Sequence, residues 1–270
     1  MKLALFGLPA KHSLSPVMHR AALATSGIDG EYTAREVDLD GFFAGIDELR
    51  SNRLDGANIT MPYKRTAVEA IDELDESAQR VGAVNTIALQ GESVVGHNTD
   101  VDGVVSSFAE AALPESGPVV VLGSGGAAAA ALAALRGRRQ YIVARNQARA
   151  QQIVTRVGAQ SRVVAWGDPV PAGVIVNATS LGMRGESLPE EIISVATGLL
   201  DMPYRNVPTP AVELLQRRGL PVADGLDMLV GQAVASFEIW TGRSVSAAVF
   251  RAAAEQELLK RARRATRTRG

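Results

Sequence analysis

The segment Gly117-Pro-Val-Val-Val-Leu-Gly-Ser-Gly-Gly-Ala-Ala-Ala-Ala-Ala-Leu-Ala-Ala-Leu-Arg136 decides how the rest of the chain is read. Val119 to Leu122 form an unbroken apolar run, the pattern of a strand covered on both faces in a parallel sheet. Gly123, Gly125 and Ala128 then fit GxGxx(G/A), and an Ala/Leu-rich helix follows, stopping at Gly137. Strand, glycine turn and helix in that order describe a dinucleotide site. The glycines let the backbone turn tightly and approach a pyrophosphate, whose charge meets the N–H groups of the helix N-terminus. Glycine spacing alone says little, and it is the flanking elements that give this one weight.

The next strand, Gln140 to Ala144, narrows the nucleotide. NAD sites place an Asp or Glu roughly 20 residues beyond the glycines to hold the ribose hydroxyls, whereas an Arg there accommodates a 2′-phosphate. Here the strand ends in Arg145-Asn-Gln-Ala-Arg149, with no carboxylate in that window. Two guanidinium groups a helical turn apart can clamp a phosphate, so this stretch favours NADP over NAD.

Further strands are expected at Arg162–Ala165, Val174–Asn177, Gly198–Asp201 and Leu220–Ala223, with a helix at Pro210–Arg218 capped by Thr209. Upstream, Leu3–Phe6, Glu31–Val37 and Leu54–Ile59 read as strands. Helices are expected from Ser15 as N-cap with Pro16, from Asp40 as cap presenting Phe43, Ile46 and Leu49, and from Thr60-Met-Pro62. Asn85–Leu89 and Ser93–Gly96 form a strand pair turning at Gln90-Gly91, followed by a helix over Val101–Ala112. The fold class is α/β, with two α/β domains. Residues 1–100 make a mostly parallel-sheet substrate domain and 101–237 a Rossmann-type NADP-binding domain, while C-terminal helices over 238–270 return to the first.

Composition excludes several classes. The chain of 270 residues carries a formal net charge of −1, so no global field favours nucleic acid or an anionic membrane. The basic end, Lys260 to Gly270, reads as a solvated helix terminus. With no cysteine, thiolate catalysis and Cys-ligated metal sites are excluded, and a reducing cytoplasm is expected. His12, His19 and His97 lack metal-ligand spacing, so no metal is expected. Neither a signal peptide nor a bilayer-spanning run is expected.

Ligands of open α/β sheets lie beyond the carboxyl ends of the strands. The polar residues just after strands in the first domain are Ser13, Ser15, Asn58, Thr60, Lys64, Asn85, Thr86, Asn98 and Asp100. One ammonium, one carboxylate and many hydroxyls and amides suit a small polyol. A carbonyl reduced by NADPH takes hydride at carbon and needs a proton at oxygen. Lys64 and Asp100 are the pair in this set able to donate it and to orient the donor, with His12 and His97 at most supporting them.

In order and spacing, Ser13-Leu-Ser-Pro16, Asn58-Ile-Thr-Met-Pro-Tyr-Lys64, Gly82-Ala-Val-Asn-Thr86 and Gly96-His-Asn-Thr-Asp100 resemble the shikimate dehydrogenases. The likeness continues through Gly123-Ser-Gly-Gly-Ala127, Asn177-Ala-Thr-Ser-Leu-Gly-Met183, Asp201-Met-Pro-Tyr204 and Asp224-Gly-Leu-Asp-Met-Leu-Val-Gly-Gln232. It implies reversible NADPH-dependent reduction of 3-dehydroshikimate to shikimate, on the way to chorismate and aromatic amino acids. It implies Lys64 and Asp100 as the catalytic pair. It further implies Ser13, Ser15 and Tyr204 at the substrate carboxylate, and Thr60, Asn85 and Gln232 at ring hydroxyls with Asn58 close by. On the cofactor side it implies Gly123, Ser124, Gly125, Gly126 and Ala127 at the pyrophosphate, Arg145 and Arg149 at the 2′-phosphate, and Met202 and Gly225 at the nicotinamide. The partners implied are this small-molecule substrate and NADP, with no nucleic acid or membrane, in a monomer or homodimer. Two departures stand out. The family's selectivity loop usually opens Asn-Arg-Thr, where this chain has Ala144-Arg-Asn146, so discrimination against NAD is expected to weaken. Pro203, Arg205 and the spacing to Thr209-Pro210 are also unusual. A quinate/shikimate or aminoshikimate dehydrogenase, or a non-catalytic NADP-binding regulator, are the alternative readings.

Overall fold

The computed structural model describes residues 1–205 and 207–267; Asn206, within the unusual 201–210 segment, and the end of the basic tail, 268–270, lie outside the described residues. The chain begins β1 (Lys2–Gly7), α1 (Ser15–Thr25), β2 (Glu31–Glu36), α2 (Leu39–Arg50), β3 (Gly56–Ile59), α3 (Thr66–Ala70), β4 (Glu73–Leu74), α4 (Glu76–Val81), β5 (Thr86–Gln90) and β6 (Ser93–His97). It continues α5 (Asp100–Glu110), β7 (Val119–Leu122), α6 (Gly126–Ala134), β8 (Gln140–Ala144), α7 (Gln147–Val157), β9 (Ser161–Ala165) and β10 (Gly173–Asn177). The last elements are α8 (Glu190–Ile193), β11 (Ala196–Asp201), α9 (Pro210–Arg217), β12 (Val222–Ala223), α10 (Gly225–Thr241) and α11 (Ala247–Arg267). Residues 1–79, 83–99 and 232–267 form one compact unit, and 80–82 with 100–231 the other.

The first unit's sheet has the order β2-β1-β3-β5-β6-β4. β1 pairs in parallel with β2 and β3, and β4 with β6, while β3–β5 and β5–β6 are antiparallel. The β5–β6 connection turns at Gly91 (φ 64°), too short for a crossover, so these strands must run in opposite directions. This arrangement gathers the polar residues. The chain leaves β1 for β2 on one side and β3 on the other, so the carboxyl ends of β1 and β3 flank a switch point. Because β5 runs against β3, Asn58 pairs with Thr86 at that same end, and Thr86 pairs in turn with His97.

Three local expectations shift. Asp38, not Asp40, caps α2, its Oδ1 accepting the Gly41 N–H at 2.9 Å. The buried face therefore becomes Phe42, Gly45, Ile46 and Leu49, and Phe43 is 42% exposed. Gly45 is needed there, since a Cβ would stand 2.5 Å from the Phe6 ring. Ser15 is the first residue of α1 rather than its cap; Leu14 holds the cap position without a side-chain bond, and the Ser13 hydroxyl accepts the Ser15 N–H at 3.1 Å. Thr60-Met61-Pro62 forms a turn closed by Tyr63 N–H on Thr60 O (3.0 Å), and the helix starts only at Thr66, consistent with proline disfavouring helical backbone in the residue before it. β4, two residues long, is too short to leave a periodic signal.

The second unit's sheet, β12-β11-β10-β7-β8-β9, is parallel throughout. Every residue of β7 is fully buried, as its unbroken apolar run requires, and the Ala128–Ala133 stretch of α6 is buried against its neighbours. Small side chains let α6 and α5 approach closely. The edge strand β12 is shorter than its apolar run predicts, because Pro221 has no N–H to offer the ladder. Among the described residues no helix is long and apolar enough to cross a membrane.

Candidate active site

In the first unit, the loop after β1 carries Ser13 and Ser15 and is tied at both ends. Glu36, at the end of β2, accepts the N–H groups of Ala10 (3.0 Å) and Lys11 (3.2 Å) and the Lys11 ammonium (2.9 Å). The Lys11 side chain and these two amides hold its carboxyl at about 2. Farther along, the α11 residue Arg261 donates to His12 O at 2.8 Å and Ser13 O at 3.5 Å, while its Nε pairs with Glu257 at 2.9 Å. Between these ties the Ser13 hydroxyl donates to Ser15 Oγ at 3.1 Å. Thr60 packs over the end of β1. A Cβ on Gly7 would collide with its methyl, so the glycine is what seats Thr60 there.

Beneath these loops lies a buried polar network. The Asn58 carboxamide accepts from Tyr32 (2.7 Å) and donates toward Asn85 O (3.2 Å), Thr86 Oγ1 (3.0 Å) and Ser236 Oγ (3.0 Å). Asn85 Oδ1 in turn accepts the Thr99 N–H at 2.8 Å and hydroxyl contacts from Thr86 and Thr99 at 3.1 Å. Engaged on both sides, Asn58 supports the wall of the site and fixes Asn85 beside it. Lys64 is partly buried in the turn before α3, and its carbonyl accepts from Val84 N–H, the residue before Asn85, at 2.8 Å. Gln232 is buried one helical turn before Ser236, whose hydroxyl donates to Gln232 O at 2.8 Å. His97 is held by Asp75 at 2.9 Å and by Gln90 at 3.3 Å, and so serves as a brace. Tyr32, Ser236 and Arg261 belong to the site without being singled out by the sequence. Ser236 sits in an apolar helical run, and the one signal it offers is a hydroxyl on a buried face.

The second unit holds Asp100 as the first residue of α5, buried to 8% exposure. At the switch point between β7 and β10, Gly123 adopts φ +113°, and a Cβ there would stand 2.9 Å from Ala178 O. Gly125 instead faces open space, and Gly126 and Ala127 begin α6. A cleft of about 570 Å³ opens there, bordered by Gly123, Ser124, Gly125, Arg145 and Arg149 on one side. Its size, the bare glycine backbone, the helix N-terminus and two exposed arginines fit the adenylate and phosphate portion of NADP. Asn146 caps α7 by accepting the Arg149 N–H at 2.9 Å, which orients that first turn. Met202 and Gly225 do not border this cleft. Met202 N–H donates to Asn177 O at 3.1 Å, and Gly225 packs under the Met202–Tyr204 loop, where a Cβ would stand 2.5 Å from Pro203 O. That loop is anchored by Asp201, which takes bonds from Asn177 (2.6 Å) and from the Thr209 hydroxyl. Burial pushes the Asp201 carboxyl upward against those two donors, and the charge of Asp224 adds to the rise. Among the described residues no group of three or more His, Asp or Glu could hold a metal ion.

Residues 5–87 match the family profile of the shikimate dehydrogenase substrate binding domain, and residues 225–255 that of the shikimate 5′-dehydrogenase C-terminal domain. A shikimate dehydrogenase (NADP(+)) of Nitrobacter hamburgensis is 37% identical over 252 residues, 88% of each chain. The crystal structure of shikimate 5-dehydrogenase from Thermus thermophilus in complex with NADP(H) and shikimate is similar at TM-score 0.84 and 31% identity, covering 95% of this chain and 99% of that one. A 5-ketofructose reductase of Gluconobacter is similar at TM-score 0.87 and 28% identity, covering 95% and 98%.

Proposed function

Since the chain belongs to the shikimate dehydrogenase family, we propose that it reduces 3-dehydroshikimate to shikimate with Lys64 and Asp100 as its catalytic pair. It is an NADP-dependent oxidoreductase acting on a CH–OH group. What most supports the assignment of roles is the position of Asn85. Lys64 is bonded through its carbonyl to the residue before Asn85, and Asn85 holds Thr99, the residue before Asp100. The backbone of Lys64 and of the residue before Asp100 is thus tied to the surroundings of one buried residue, Asn85, rather than left on free loops.

NADPH supplies the hydride to the carbonyl carbon. Lys64, as an ammonium, holds a proton at the carbonyl oxygen and stabilises the alkoxide as it develops. Asp100 orients that ammonium and, in the reverse direction, favours return of the proton to the amine. The hydroxyls of Ser13, Ser15 and Tyr204 donate to the substrate carboxylate, which explains the lack of an arginine in that loop. Thr60, Asn85 and Gln232 meet ring hydroxyls, and Asn58 keeps Asn85 turned toward them. Gly123 to Ala127 receive the pyrophosphate, Arg145 and Arg149 the 2′-phosphate, and Met202 and Gly225 the nicotinamide end. We place the enzyme in the cytoplasm, as a monomer or homodimer, where a cysteine-free chain and NADPH-driven reduction are at home.

Shikimate-dependent reduction of NADP⁺ tests the reading. Lys64→Ala lowers kcat about a thousandfold while the Kd for NADP⁺ stays within about twofold, because proton transfer and cofactor binding use different residues. Retained turnover removes Lys64 from the mechanism. Faster turnover of quinate with NAD by the unaltered protein would make it a quinate dehydrogenase instead, and no turnover at all would favour a regulator.

A further inference from the structure

We infer that Trp166 is the platform on which the adenine ring of the dinucleotide stacks. The inference rests on the cofactor reading of the cleft and adds to it a residue that neither glycine spacing nor the arginine pair identifies.

Trp166 immediately follows β9, and it borders the same cleft as Gly123, Arg145 and Arg149. Three adjacent strands, β7, β8 and β9, thus deliver their carboxyl ends to one groove in sheet order. The pyrophosphate belongs at the end of β7 and the 2′-phosphate at the end of β8. Neighbouring strands lie about 4.8 Å apart, so the end of β9 is roughly 10 Å from that of β7, the distance over which the ribose and base extend. What stands at that third position is a flat apolar ring rather than another polar group. Trp166 is partly buried against the cluster containing Val143, Val164 and Leu188, and it borders the groove. Leu181 and Pro189 border the cleft as well, giving the base an apolar surround. An aromatic face flanked by Leu181 and Pro189, on the side of the groove away from the glycine turn and the arginines, suits a purine and not a phosphate.

Adenine is common to NADPH and NADH, and this gives Trp166 a signature distinct from that of the arginines. Trp166→Ala raises the KM for both cofactors by the same factor, about tenfold, with the loss in cofactor KM rather than in kcat, and Trp166→Phe restores most of it. Adenosine 2′,5′-bisphosphate, which carries adenine and the 2′-phosphate but no nicotinamide, serves as a direct probe. The chain has two tryptophans, Trp166 and Trp240, and Trp240 is packed within the first unit with its indole N–H on Ile87 O at 2.9 Å. Titration with the probe quenches tryptophan fluorescence in the unaltered protein and in Trp240→Phe, and the quenching disappears in Trp166→Phe. Quenching that persists in Trp166→Phe, or a Trp166→Ala effect confined to NADPH, would overturn the inference while leaving the cofactor cleft in place. A probe that fails to bind the unaltered protein at all would overturn both.

Discussion

At the scale of single residues, the cofactor preference rests on Arg145 more heavily than the family's usual loop would require. Ala144 is buried and brings no donor, so whatever an asparagine there would give the phosphate is absent. The substitution at Asn146 does less harm. Its side chain caps α7 on the Arg149 N–H, the job a threonine performs at an N-cap, and so keeps Arg149 in its first-turn position. Arg145→Ala therefore raises the KM for NADPH about 10- to 100-fold, the loss expected for charge-assisted bonds, and that for NADH less than about threefold. Initial rates with each cofactor measure this, and equal changes would sink the phosphate clamp. Arg145 and the missing carboxylate were legible because they are read against a strand boundary. Trp166 was not, since in one dimension an aromatic after a strand looks the same whether it caps a core or faces a groove.

At the scale of elements, strands and helices with a clear period were legible, and their partners were not. β7 and α6 are evident from an apolar run, a glycine turn and an alanine-rich stretch. The start of α2 is ambiguous in the sequence because Asp38 and Asp40 are both competent caps, and only the packing of Phe42 and Gly45 against Phe6 chooses between them. α11 is the sharper case. Its basic residues read as a solvated end, yet α11 lies along α1, and Arg261 reaches the backbone of His12 and Ser13. The helix thereby holds the loop assigned to the substrate carboxylate. Arg261→Ala should raise the KM for shikimate about fivefold, with little change in the KM for NADP⁺, since about one net hydrogen bond's worth of preorganisation is lost. Arg261→Lys should recover only part, because a point charge cannot bridge two carbonyls as a planar fork does. An unchanged shikimate KM in Arg261→Ala would mean that Glu36 alone secures the loop.

At the scale of the whole molecule, stability should depend on pH through one buried histidine. His19 of α1 is stacked on Tyr32 at 4.6 Å and lies among Phe237, Trp240 and Phe250, where the C-terminal helices join the first sheet. Burial is the main cause that lowers its pKa to about 3; Asn58 lies close enough to oppose the shift slightly, but neither ring nitrogen gains a hydrogen bond of good geometry. The folded chain therefore keeps His19 neutral, whereas the unfolded chain protonates it near 6.5. A depressed histidine contributes stability that is present above the unfolded value and lost as pH falls toward the folded one. Between pH 7 and pH 5 the loss amounts to about 2 kcal/mol, above the window from 4.5 down to about 2 in which Glu36 loses its own contribution. Urea unfolding at the two pH values should show this loss, and in His19→Phe, which keeps an aromatic ring against Tyr32, it should largely vanish whatever the variant's absolute stability. Equal losses in the two proteins would show that His19 is hydrated, and that the C-terminal helices do not seal this end of the sheet as tightly as the stacked rings require.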